Sequence, residues 1–224
     1  MNKTDISNAR SIAISCAARY DKKLKDKQFL IIYKDTNKNI LDYIEIVFLS
    51  YNYQHLTGLN LIDKNGNLLK NASKFFYKKC IDKKLGNKEI AFKDDGTTKL
   101  KLEALSALTD FTSISKITGD SNNRQPFLHI EKVVGGVNFC LGLRKNKDIN
   151  KYVPVSALSK DIKTITDEPF QVLAILEKDY NDNACYKTFR YNAKGVNLLK
   201  VKLTEELKEM ISFENYKPHK KKEM

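Results

Sequence analysis

The stretch IEIVFLSYNYQHLTGL, residues 44–59, turns from one kind of structure into another within sixteen positions. Ile44, Ile46 and Phe48 alternate with Glu45, Val47 and Leu49, the period-two pattern of a strand with one buried face. After Leu49 the alternation stops. Ser50-Tyr51-Asn52-Tyr53-Gln54-His55 reads as a polar, aromatic loop, and Thr57-Gly58 as the turn that follows it.

Working outward, Asp35-Thr36-Asn37-Lys38-Asn39 is turn chemistry and Phe29 to Tyr33 is a short apolar run, so the spacing predicts a β-hairpin with its second strand at Tyr43 to Leu49. Upstream, Ile6, Ala9, Ile12, Ala13, Cys16, Ala17, Tyr20 and Leu24 recur at intervals of three and four, the stripe of an amphipathic helix. Downstream, helices fit Ser73 to Leu85, with Ser73 as N-cap and Gly86 past the end, and Thr98 to Phe111, with Leu102, Leu105 and Leu108 on one face. Asp63-Lys64-Asn65-Gly66 resembles part of a calcium loop, but Leu61 and Ala72 would occupy its first and twelfth places, so it is read as a hairpin turn.

The second half is strand-like. Phe127 to Val134, Val137 to Leu143, Lys151 to Ser156, Gln171 to Lys178 and Ala184 to Tyr191 are short β-type runs separated by turn residues. Val172 to Leu176 is apolar on both faces and suits a central strand; Cys185, Phe189 and Tyr191 are read as one face of the last strand. The expected fold is α+β, helices packed on an antiparallel β-sheet meander. A final helix is expected at Leu198 to Ile211 and a charged tail from Lys217, which divides the chain into a domain at 1–195 and a C-terminal helix with a basic tail at 196–224.

Composition bounds the function. The 224 residues are 42% hydrophobic, enough for a real core, and no run approaches a membrane span or signal peptide, so the expected location is the cytoplasm of a host bacterial cell, without membrane association. Cys16, Cys80, Cys140 and Cys185 form no CxxC pair and sit beside apolar residues; buried reduced thiols are expected, with no metal site and no cofactor. The formal charge of +13 favours polyanionic partners. Only five of the 40 basic residues are arginine, however, and lysine-rich usage is also what an A+T-rich genome produces. Both origins of the charge stand.

No phosphate-binding loop, dinucleotide fingerprint or HExxH is present. The block HLTG, 55–58, followed in order by FFYKKC (75–80), DGTTKLKLEALSALT (95–109), FLHIEKVVGGVNFCLGL (127–143), YVPVSALSKDI (152–162) and VLAILEKDYNDNACYKTFRY (172–191), resembles the fourth of the phage-borne families grouped with barnase, EndoU, the tRNA-cleaving colicins and RelE. The likeness spans residues 13 to 195, and HLTG is its most specific piece. It implies an α+β nuclease fold and RNA cleavage without metal, from a basic, sheet-borne site. Catalytic residues vary within that wider group, so the roles are argued from the residues themselves.

Attack of a 2′-hydroxyl on the adjacent phosphate needs a proton acceptor, a cation at the phosphorane and an acid for the leaving oxygen. His55 suits either proton role, with Thr57 beside it to touch phosphate or orient the ring; alternatively His55 simply pins a turn. His129 reads as a structural strand histidine. Arg144 and Lys178 close strands and are candidates for the cationic role, and Tyr186 for stacking or proton donation. Lys99 and Lys101, near a helix N-terminus, and Tyr53 are candidate nucleic-acid contacts. The expected function is a metal-independent endoribonuclease of a phage or mobile element with a toxin-like or host-takeover role, acting on tRNA or mRNA and possessing a protein inhibitor as a candidate partner. The alternative is an inactive nuclease fold that binds nucleic acid or a host defence protein; a third reading is a protein-interaction module whose charge is only codon usage.

Overall fold

The computed structural model describes residues 3–122, 124 and 129–218. Helix α1 (Lys3–Lys23) buries Ala9, Ala13, Cys16, Ala17 and Tyr20, the stripe expected from its period, and the small side chains let it lie close against its neighbours. Strands β1 (Lys27–Asp35) and β2 (Ile40–Phe48) form the expected hairpin, with Phe29 opposite Ile46 and Ile31 opposite Ile44. Its turn is held by Asp35, whose carboxylate accepts from the backbone N–H of Asn37 and Lys38.

The segment after β2 departs from expectation. Instead of a loop, Asn52–Thr57 is a short helix, α2. Tyr53 and Leu56, three residues apart, are both fully buried in an aromatic cluster with Tyr20 and Tyr77, a spacing only a helical turn supplies. Strand β3 (Leu59–Leu61) pairs with β4 (Ile90–Phe92) in a small second sheet, and between them Asp63 to Gly66 makes the expected turn, flanked by an Ile62–Leu68 bridge. Helix α3 (Ser73–Ile81) ends four residues before Leu85; Ala72 takes the cap position and Lys83 adopts φ 56°. Gly86 begins a 3-10 turn rather than ending a helix. The third expected helix is divided into α4 (Thr98–Leu105), a 3-10 turn and α5 (Phe111–Ile114), with Leu102, Leu105 and Leu108 buried as anticipated.

The second half supplies β5 (Ile117–Asp120), β6 (Lys132–Gly135), β7 (Cys140–Asn146), β8 (Lys151–Leu158), β9 (Phe170–Asp179) and β10 (Thr188–Asn192). Strand β5 had no sequence counterpart. Val137 is exposed in the turn before β7, and the strand run expected from Phe127 lies in part outside the described residues.

The order is β1-β2-β8-β7-β6-β5-β9-β10, and β1 also pairs with β9. Seven strands therefore close into a barrel-like circuit, with β10 alongside β9. This corrects the expected antiparallel meander: β2 meets β8 in parallel at Ile46–Tyr152, so the sheet is mixed. The reason is closure. A meander leaves two open edges, whereas joining the hairpin to both β8 and β9 pairs the exposed backbone of β1 and β2. Strand β9 is central, as its two apolar faces require.

Phe29, Ile31, Ile46, Phe48 and Ile175 face the helices, while Leu30, Ile32, Ala174 and Leu176 face Leu198, Leu203, Leu207 and Ile211 of the C-terminal segment. That segment is a 3-10 turn and a short helix α6 (Glu205–Met210) instead of one helix over Leu198 to Ile211. Thr204 interrupts it, extended and accepting from the N–H of Leu207 as the cap of α6. Cys16, Cys80 and Cys140 are buried, but Cys185 is exposed, because Tyr186 takes the inward position. Residues 219–224, most of the charged tail and His219, lie outside the described residues.

Candidate active site

The HLTG block places its residues by closing α2. Gly58 adopts φ 67°, the left-handed conformation that ends the helix, and its N–H donates to the His55 carbonyl. Thr57 is committed to the same turn: its hydroxyl donates to the Gln54 carbonyl (2.8 Å) and accepts from the N–H of Leu59 (3.1 Å). The Gly58 carbonyl in turn accepts from Thr98 Oγ1 (2.7 Å), which itself accepts from the Lys93 N–H (3.1 Å). One threonine thus ties the end of α2, the exit of β4 and the start of α4 together.

Between β4 and α4 the chain reverses through Asp95, which accepts from the N–H and hydroxyl of Thr97. The reversal leaves Lys93 and Lys101 close enough to repel one another, and both act on His55, as does Arg144 from β7. His55 is accessible at a cavity of about 180 Å³ that Gln54, Asn60, Asn71, Ser73 and Lys93 also line. The protein around its ring, and then the charges of Lys93, Lys101 and Arg144, hold its imidazole below the ordinary value. Lys101 is only 4% exposed. Burial first, and Lys93 next, push it down to about 8 against the opposing pull of Asp95. Among the described residues Lys101 makes no ion pair, and no three His, Cys, Asp or Glu side chains gather where a metal would sit.

Of the residues expected from sequence, the fold brings together His55, Lys101 and Arg144. Lys99 is exposed on α4, and Tyr53 is sealed in the core with its hydroxyl on the Ala13 carbonyl. Lys178 and Tyr186 meet each other on the opposite face of the sheet. The ammonium of Lys178 donates to the Ala184 carbonyl and lies 4.8 Å from the Tyr186 ring centre, and the Tyr186 hydroxyl donates to Glu45 (2.7 Å). Lys93 was not anticipated. Its signal was the turn Asp94-Asp95-Gly96-Thr97 between a short apolar strand and a helix, which returns Lys101 to its side.

An α+β barrel-like sheet with a cluster of cations around one histidine is a frame suited to phosphate-bearing polymers. Residues 14–195 match the family model described as phage-Barnase-EndoU-ColicinE5/D-RelE like nuclease 4, and the chain belongs to that family. It is thus of the phage nuclease type, with nucleic acid as the substrate class of its family. No curated protein and no solved structure gives a match. Among the described residues no helix is long and apolar enough to cross a membrane.

Proposed function

We propose that this chain is a metal-independent endoribonuclease of a phage or mobile element, with a toxin-like or host-takeover role. The observation that carries the reading is the convergence of Lys93, Lys101 and Arg144 on His55, two of the four groups having depressed proton affinity. A neutral imidazole at neutral pH is a proton acceptor, and a buried ammonium titrating at about 8 is both a cation and a proton donor.

In the proposed reaction His55 takes the proton from the 2′-hydroxyl as its oxygen bonds to phosphorus. Arg144 and Lys93 stabilise the phosphorane, an electrostatic role in which preorganised charges are effective. The bond from phosphorus to the 5′-oxygen then breaks, and Lys101 protonates the leaving oxygen. The products are a 2′,3′-cyclic phosphate and a 5′-hydroxyl. A donor set made of cations and one imidazole supports chemistry without a divalent metal, which prefers carboxylates.

The test is incubation of total bacterial RNA with wild type and His55→Ala in EDTA, with end-group mapping of the fragments. Wild type should leave 2′,3′-cyclic ends, and the variant should be at least about tenfold slower. Abolition of cleavage by the chelator would refute the metal-independent mechanism. Salt-dependent RNA binding with no cleavage by wild type would favour the inactive, binding alternative.

A further inference from the structure

A threonine at the start of a helix ordinarily spends its hydroxyl on that helix's own N–H groups. Neither threonine at the start of α4 does so. Thr97 takes the cap position without a side-chain cap bond and donates its hydroxyl to Asp95 at 2.7 Å. Thr98, 2% exposed, uses its hydroxyl on other segments: it donates to the Gly58 carbonyl at 2.7 Å and accepts from the Lys93 N–H at 3.1 Å.

Short paths run from this hydroxyl to His55, Lys93 and Lys101. On its donor side Gly58 gives its own N–H to the His55 carbonyl. On its acceptor side Lys93 is bonded through its backbone. Lys101 stands three residues along α4 from Thr98, on the same side of the helix, with its N–H on the Thr97 carbonyl at 3.0 Å. Arg144, on β7, is outside this relay.

The cations need such a fixture. Lys93 and Lys101 repel one another, and among the described residues no ion pair ties Lys93, Lys101 or Arg144 to a carboxylate. Like charges stay near one another only where covalent and hydrogen-bonded structure holds them. Among the described residues, the two bonds of Thr98 are the side-chain hydrogen bonds that join the end of α2, the exit of β4 and the start of α4.

We infer that Thr98 is a positioning residue of the candidate active site: its hydroxyl locks the end of α2 to the β4–α4 turn and so sets where Lys93 and Lys101 stand relative to His55. It acts through those groups and touches no substrate. The inference rests on the nuclease reading for its effect on cleavage, and on the hydrogen bonds alone for its effect on His55. A misplacement of about 1 Å costs a rate up to about a hundredfold, so release of both bonds should be felt in turnover more than in substrate capture. Serine keeps the oxygen and suffices; valine has the shape of threonine and does not.

The experiment compares full-length wild type, Thr98→Val and Thr98→Ser by NMR titration of the His55 ring, assigned by its loss in His55→Ala, and by steady-state cleavage of an RNA oligonucleotide in EDTA. In wild type the ring titrates below 6.5, because burial first and then Lys93, Lys101 and Arg144 disfavour its charged form. In Thr98→Val the titration should move up toward 6.5, kcat should fall at least about tenfold and KM should stay within about threefold. Thr98→Ser should keep the wild-type titration and rate. Circular dichroism establishes whether Thr98→Val is folded. If it is not, the serine variant decides: wild-type behaviour supports the hydroxyl, and loss of either readout assigns the role to the methyl group's packing and overturns the inference. A folded Thr98→Val with an unmoved His55 titration, or with wild-type cleavage, would overturn it as well. Absence of cleavage by wild type would refute the nuclease reading and leave the titration as the test of Thr98.

Discussion

Lys101 packs its aliphatic stem against Gly58, so closely that a Cβ on the glycine would lie 3.0 Å from the lysine Cδ. The same Cβ would lie 3.0 Å from the Thr98 Cα. The helix-ending glycine of one segment is thereby the wall that buries the lysine of another. Its φ of 67° and its missing side chain are both required for the lysine to pack there, where its charge acts on His55.

Gly58→Ala should therefore fail on two counts. The left-handed backbone costs a residue with a side chain about 1–3 kcal/mol, and the new methyl must displace Lys101 or α4. Urea denaturation should show a loss of that size, with RNA cleavage falling at the same time.

Lys101→Met should separate stability from activity. With a folded value of about 8 against an ordinary 10.5, the lysine penalises the folded state fully below pH 8, and the penalty fades as pH rises from 8 to 10.5. The unfolded chain binds the extra proton throughout that window. Replacing the ammonium with an apolar side chain should raise stability at pH 7 by about 1–3 kcal/mol while cleavage drops at least about tenfold. A variant that is less stable than wild type would show that the buried charge is compensated.

The pH profile of cleavage should be bell-shaped. His55 must be neutral to accept a proton, so the rising limb lies below its ordinary value of 6.5, and loss of the Lys101 proton places the falling limb near 8. Lys101→Arg should move the falling limb out of the accessible range and leave the rising limb in place. A profile unaffected by that change would remove Lys101 from the proton transfer.

Tyr186→Phe provides the complementary control. It deletes the hydroxyl that donates to Glu45 at 2.7 Å, a bond to a charged acceptor worth about 1.5–3 kcal/mol. Burial and Glu45 hold this phenol protonated, and Glu45 retains Gln28 and Lys151 as donors. Thermal stability should fall while cleavage stays within about twofold of wild type, because the residue lies across the sheet from His55.

Much of the local structure was legible. The three-and-four spacing from Ile6 to Leu24 became α1, and the alternation around Ile44 to Phe48 became β2. Short elements were not. Helix α2 spans six residues, fewer than two turns, so its pattern is indistinguishable from a loop until Tyr53 meets Tyr20 and Tyr77. Strand β5, ITGD, has too few apolar residues to announce itself, and it exists because β6 and β9 supply its pairing partners.

For the candidate site, His55 and Lys101 could be named from residue type and position, yet nothing in the chain order distinguished them from Lys178 and Tyr186. Contiguous residues determined the long helix α1, the hairpin and the family resemblance, because periodicity and turn chemistry act within a window of a few residues. Tertiary structure alone decided that Ile46 lies beside Tyr152, that the sheet closes, and that Arg144 and Lys93 share a field with His55 while Tyr186 does not. Those relationships join residues that are distant in the chain. They follow from how the sheet closes and its two faces pack, and no local pattern encodes them.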